Sequence, residues 1–178
     1  MLKTNLFFNY YQAGDRQHEI DKCLEMNKLV FDEVIIVEGR PTFSELFALT
    51  KDYPNGINCF CNSDCYFKDT SLLQRIENND CYALTRDDML FVPKINSQSQ
   101  DAWCFKGVIK NIEIPYTQGL WGIDNRIAHE IKEAGYNITN PSLSIPIIHV
   151  HAVDNRDYKR TPENTIPPPY LMLKPKTI

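Results

Sequence analysis

Asn62-Ser63-Asp64 interrupts an apolar stretch, with Ile57-Asn58-Cys59-Phe60-Cys61 before it and Cys65-Tyr66-Phe67 after it. A carboxylate between two apolar runs is costly unless something pairs with it. In an α/β protein the carboxyl end of a buried strand is where ligands bind. Asp64 there would be a ligand-facing acid, with hard oxygens suited to Mg²⁺ or Mn²⁺ bridging a diphosphate. The competing reading is a turn acid bonded to backbone amides, and the triplet alone does not decide between them.

Other residues have types that can do chemistry. His149 and His151 alternate along one strand face, where they could ligate a metal or touch a phosphate, or serve as structural histidines. Asp124 lies in Trp121-Gly122-Ile123-Asp124-Asn125-Arg126 at a helix start. There it is either a cap or a general base aimed at an acceptor hydroxyl. Ser99-Gln100-Asp101-Ala102-Trp103 sets polar groups beside an aromatic ring. That suits a sugar or base by stacking and hydrogen bonding, or simply a loop with a packing Trp. Asp101 joins Asp124 as a catalytic candidate. Arg16 and Arg40 follow the first and second strands, where either could meet a phosphate or remain solvated.

The elements that must position these residues are legible from hydrophobic pattern. Residues 2–11 hold Leu6-Phe7-Phe8, a first buried strand. Asp15 is placed to cap a helix running to about residue 29. Val34-Ile35-Ile36-Val37 is β-branched, as in a central parallel strand. Thr42 and Glu45 have capping-box spacing for a helix carrying Phe43, Leu46 and Phe47. Pro54-Asn55-Gly56 stops that helix before the strand that ends at Asp64. The pattern strand, helix, strand, helix, strand with short links predicts a Rossmann-like α/β fold. Its sheet would be mixed but mainly parallel, with helices on both faces. A short helix over 71–78, strands over 81–86 and 101–105, a helix from Asp124 to Gly135 and a strand over 146–153 complete the expectation. Residues 1–158 would make one catalytic domain. The Pro-rich residues 159–178 would lie as an extended surface tail.

Composition bounds the rest. The chain has 178 residues, 43% hydrophobic and 24% charged, which suits one globular core. A net charge of −4 gives no global basic footprint for nucleic acid. No apolar run reaches membrane-span length, and no signal-peptide pattern opens the sequence, so a cytoplasmic setting with reduced thiols is expected. Cys59, Cys61 and Cys65 lack Cys-x-x-Cys spacing and read as core packing rather than zinc ligands.

The order of these motifs resembles that of GT-A-fold glycosyltransferases. In that fold a βαβαβ half ends in a strand bearing an Asp-x-Asp type motif, and Asn62-Ser63-Asp64 matches its position with Asn for the first acid. Residues 122–136, from Gly122-Ile123-Asp124 to Ala134-Gly135-Tyr136, look like the second signature, where an acid opens a helix closing on Ala-Gly-Tyr. The resemblance implies sugar transfer from a nucleotide-diphosphate donor such as a UDP-sugar, assisted by Mn²⁺ or Mg²⁺. Asp64, His149 and His151 would be the metal ligands and Asp124 the acceptor-facing acid. Asn9, Tyr10, Tyr11, Arg16, Glu38, Arg40, Asn62 and Ser63 would contact the donor. Gln100, Trp103, Trp121, Gly122 and Asn125 would face the acceptor, a glycan or a hydroxylated base in viral DNA. The alternatives are a nucleotidyltransferase, whose glycine-rich loop is not matched by the single Gly14, and a non-catalytic nucleotide-sugar-binding module.

Overall fold

The computed structural model describes residues 1–88, 99–150 and 159–178. Three strands open the chain: β1 (Thr4–Tyr10), β2 (Glu33–Glu38) and β3 (Ile57–Cys61). Between them run α1 (Gln17–Lys28) and α2 (Phe43–Leu49). Then come β4 (Cys65–Phe67), β5 (Asp80–Leu84), β6 (Arg86–Asp88), β7 (Ala102–Lys106), α3 (Ile123–Glu133), β8 (Asn137–Thr139) and β9 (Ile147–His149). The main sheet has six strands in the order β2-β1-β3-β7-β5-β8. β1 pairs parallel with both β2 and β3, β7 runs antiparallel to β3 and β5, and β5 pairs parallel with β8. The sheet is therefore mixed, as expected.

Period-two alternation sorts the side chains into two cores. Leu6, Phe8, Cys59, Cys61, Tyr82 and Leu84 face α1, which contributes Ile20 and Cys23. Phe7, Phe60, Ala83, Trp103 and Phe105 face α2 and α3, which contribute Phe43, Leu46 and Phe47, and Ile123, Ile127 and Ile131. Phe60 is central to the second core. It stacks on Phe7 at 5.0 Å and on Phe105 at 6.0 Å, and meets the edge of Phe47 at 5.4 Å. All six cysteines are buried free thiols. No helix among the described residues is long and apolar enough to cross a membrane.

A second sheet of three short strands, β4-β9-β6, sits beside the first. The chain enters it through a turn in which the Cys65 amide donates to the Asn62 carbonyl at 2.9 Å. Cys65 pairs opposite His149, and Asp88 pairs with His149 from the other side.

Several local expectations change. Asp15 caps nothing. It lies in a 3-10 turn, Gly14–Arg16, that leads into α1. The expected helix over 71–78 is only the 3-10 turn Ser71–Arg75. The strand expected over 146–153 is described only as Ile147–His149, and His151 lies outside the described residues. The capping box of Thr42 and Glu45 forms, with Thr42 N donating to Glu45 Oε2 at 2.7 Å and Glu45 N donating to Thr42 Oγ1 at 3.2 Å. Residues 159–178 are extended but not detached. Ile166 is buried in the second core, and the Lys176 amide donates to the Asn140 carbonyl at 2.8 Å.

Truncating a packed ring leaves a cavity, so Phe60→Ala should cost about 3–5 kcal/mol. Ile36 is 42% exposed on edge strand β2, and Ile36→Ala should stay within about 0.5 kcal/mol. Urea unfolding monitored by tryptophan fluorescence measures both, and equal losses would contradict the two-core arrangement.

Candidate functional site

From β1 the chain moves to β2 on one side and then returns to β3 on the other, so the connections diverge between the ends of β1 and β3. Such a switch point leaves a crevice that no crossover loop covers. A cleft of about 850 Å³ opens there. Asn9 and Tyr11 enter it from the end of β1, Arg40 from the end of β2, and Asn62, Ser63 and Asp64 from the end of β3. The loop before α3 adds Trp121 and Gly122, and α3 itself adds Asp124 and Asn125.

Asp64 is charged at the mouth of a fully buried strand, and two groups make that tolerable. Arg16 Nη2 donates to Asp64 Oδ2 at 2.9 Å, and His149 Nε2 lies 3.2 Å from the same oxygen. Burial by itself would raise the carboxyl's pKa. The hydrogen bonds and positive charge of His149 and Arg16 outweigh it and hold the group well below its ordinary 3.8. Arg16 is braced in turn by Glu19, whose Oε2 accepts from Nε at 2.6 Å. The second sheet exists locally for this contact. Its β4–β9 pairing, with the Val150 amide donating to the Asp64 carbonyl at 2.8 Å, carries His149 to the acid from behind.

A second acid-centred cluster lies beside the first. Asp101 is fully buried, accepting from Arg86 Nη1 at 2.8 Å, Asn62 Nδ2 at 2.9 Å and Ser99 Oγ at 2.5 Å. This explains the Asn at position 62. Its side-chain amide donates to Asp101, whereas an Asp there would set two carboxylates against each other. Ser63 is likewise committed, its hydroxyl donating to the Asn9 carbonyl at 2.6 Å. Asn9 Nδ2 donates to the carbonyls of Val37 and Gly39 at 2.9 Å each, tying the β1 and β2 ends together.

Asp124 differs from both. Gly122, at φ 79°, is the N-cap residue of α3, so Asp124 sits in the first turn and not at the cap position expected for it. Among the described residues its carboxylate accepts no hydrogen bond. Burial, and then the negative charge of Asp101, push its pKa well above 3.8, with Arg86 opposing. The cleft thus holds two carboxyls displaced in opposite directions, Asp64 down and Asp124 up. Such a divergence is the usual mark of acids with separate tasks.

Five of the expected site residues lie outside the cleft lining, one of them His149, buried behind Asp64. Tyr10 points to the α1 face, its hydroxyl donating to Asp21 Oδ1 at 2.7 Å, because alternation sends it away from Asn9 and Tyr11. Glu38 ends the edge strand, exposed and outside the cleft lining. Gln100 and Trp103 are fully buried and outside it too, and Trp103 packs against Phe43 at 5.2 Å. The exposed aromatic surface of the cleft belongs instead to Tyr11 and Trp121, each 39% exposed. The sequence reading missed Arg86, Gln118, Arg160, Asn164, Tyr170 and Met172, which also line it. Arg86 was legible as a polar residue following a strand. The last four come from the C-terminal segment, and no pattern ties that segment to α3.

Among the described residues, no three His, Cys, Asp or Glu side chains are grouped closely enough to hold an ion by themselves. Asp64 and His149 offer one carboxylate and one imidazole in contact. Asp64 Oδ1 meets only the Cys65 thiol at 3.8 Å. The carboxylate of Asp64 is the one hard oxygen donor of this pair and suits Mg²⁺ or Mn²⁺ completed by phosphate and water oxygens, whereas His149 is buried outside the cleft lining with Nε2 turned to Asp64 Oδ2. None of the family models, curated proteins or solved structures compared with this chain matches it.

The Asp64 cluster has a pH signature. A carboxyl depressed on folding adds stability above its unfolded pKa and loses it as pH falls toward the folded value. The stability advantage of the native protein over Asp64→Asn should therefore be constant near neutrality and shrink below pH 3.8. Urea midpoints from pH 7 to pH 2.5 test this, and an advantage that grows in acid would reverse the assignment.

Proposed function

We propose that this protein is a glycosyltransferase of GT-A type that moves a sugar from a nucleoside-diphosphate donor to an acceptor hydroxyl. The observation that carries the reading is the pair of oppositely displaced acids, Asp64 and Asp124, facing one cleft at the sheet's switch point. Charge supports it as well. The lining includes Arg16, Arg40, Arg86 and Arg160 against three acids, one of them biased toward its neutral form, in a chain of net charge −4. A cationic cleft in an acidic protein favours an anionic ligand.

In this reading the donor diphosphate lies at the Asp64 end. Arg16 and, when bound, a Mn²⁺ or Mg²⁺ ion held by Asp64 would stabilise the charge that builds on it, with His149 orienting the Asp64 carboxylate. Asn9 and Tyr11 lie at the β1 end to meet the nucleoside, Tyr11 by stacking. Asp124 faces the acceptor. In an inverting displacement its carboxylate takes the acceptor proton as the acceptor oxygen bonds to the anomeric carbon. The bond from that carbon to the diphosphate breaks, and the electron pair leaves with the diphosphate. A base with a raised pKa is stronger, but it works only above that pKa. Asp101, fully hydrogen-bonded, serves as the positioning residue for Asn62 and as a source of the field that raises Asp124. The nucleotidyltransferase reading has less support, because the loop after β1 delivers one arginine to Asp64 instead of a glycine-rich phosphate cradle.

Incubation with a panel of nucleotide sugars and Mn²⁺, followed by release of free sugar, tests the reading. Turnover should rise with pH along a limb lying above the ordinary carboxylate range. Asp124→Asn should lose about 10²-fold or more in rate while donor still binds. Asp64→Ala should abolish the Mn²⁺-dependent part of donor binding seen by calorimetry. Binding that persists with no turnover on any donor or acceptor would favour the non-catalytic module, and failure to bind any donor would remove both.

A further inference from the structure

The cations of the cleft fall into two classes. Arg16 and Arg86 are committed to Asp64 and Asp101. Arg40 and Arg160 are exposed, and neither forms an ion pair or side-chain hydrogen bond among the described residues. They come from segments 120 residues apart, so their sharing one cleft is a product of the fold.

The loop 117–122 connects them. At one end Thr117 bridges Thr42, two residues beyond Arg40, and Arg40 Nη2 lies only 3.5 Å from where a side chain on Gly119 would begin. At the other end Trp121 bridges Thr165. The Trp121 amide donates to the Asn164 carbonyl at 2.8 Å, and the Trp121 carbonyl accepts from the Ile166 amide at 2.8 Å. Asn164 closes the turn after Arg160, its Oδ1 accepting from Thr161 N at 2.8 Å and its Nδ2 donating to the Lys159 carbonyl at 2.9 Å. Glu163, three residues after Arg160, is engaged by Thr161. The C-terminal segment is keyed into this rim. A side chain on Gly122 would meet the Tyr170 ring at 2.9–3.1 Å, and the Leu171 amide donates to the Asn125 carbonyl at 2.9 Å.

We infer that Arg40 and Arg160, brought to the two ends of the 117–122 loop, form an anion subsite that binds a phosphate group carried by the acceptor. The assignment to the acceptor rests on the proposed glycosyltransferase reading, in which the donor diphosphate occupies the Asp64 end, and it takes Arg40 from the donor contacts that the resemblance implies. The loop carrying this rim leads directly into α3 and Asp124, so a ligand held there presents its hydroxyl to the acid that would accept its proton. Two arginines with unspent charge match the oxygens of a phosphate monoester, and the exposed Trp121 face suits the sugar ring that bears it.

The test uses the full chain and calorimetric titration. First, uridine diphosphate with Mn²⁺ is titrated alone. Then, at saturating uridine diphosphate, glucose 6-phosphate and glucose are compared. Native protein should bind the phosphate ester at least tenfold more tightly than glucose. The double variant Arg40→Ala, Arg160→Ala should abolish that preference and leave uridine diphosphate affinity within twofold. Both residues are exposed and unpaired among the described residues, so the variant's urea midpoint should match that of the native protein. A native protein that does not prefer the phosphate ester overturns the inference. So does a double variant that keeps the preference, or one that loses uridine diphosphate instead. Failure of uridine diphosphate to bind the native protein at all strikes the glycosyltransferase reading itself and is read out separately.

Discussion

A charged carboxylate at the end of a fully buried strand is the constraint on which the rest of the structure depends. Asp64 cannot stay ionised there without partners brought to it from elsewhere. Arg16 comes from the turn that starts α1 and His149 from a short strand 85 positions away. The small second sheet, the turn at Asn62 and the bracing of Arg16 by Glu19 all follow from meeting that single oxygen atom. A cleft that spends two groups on keeping one acid charged, and leaves another acid without a hydrogen-bond donor among the described residues, has its two acids divided in chemical character by geometry.

The parts of the fold readable from sequence were those governed by local periodicity. The apolar runs Leu6-Phe7-Phe8 and Ile57-Asn58-Cys59-Phe60-Cys61 placed the first and third strands, and the Thr42–Glu45 spacing placed α2 with its capping box. Period-two alternation of side chains along the first strand would have separated Tyr10 from Asn9 and Tyr11. Trp103 was read as a recognition residue from its polar neighbours. Its position inside a strand buried on both faces was the stronger signal. The cap reading of Asp124, one of the two left open for it, rested on its being a capping residue type near a helix start. Gly122 at positive φ takes that role, since the tight entry over Tyr170 leaves no room for a side chain.

What the sequence could not give was pairing at long range. Nothing local joins Asn62 to Asp101, Asp64 to His149 or Trp121 to Asn164. Each contact is made by polar residues whose individual signals are those of ordinary turns. The Asn at position 62 shows the effect. Read as a departure from a two-acid motif, it suggests a weakened metal site. Beside Asp101, it is the residue that lets two acids occupy neighbouring positions without repulsion.

The span between Asp64 and His149 has a further meaning for how the molecule comes together. The βαβαβ half is closed by β1–β3 pairs 53 residues apart, whereas the imidazole that contacts its terminal acid arrives only after a loop of 85 residues has closed. Contacts across long loops form late, because their entropy must be lost before they contribute. Until β9 docks on β4, the first half carries an acid at its open end that lacks one of its two partners.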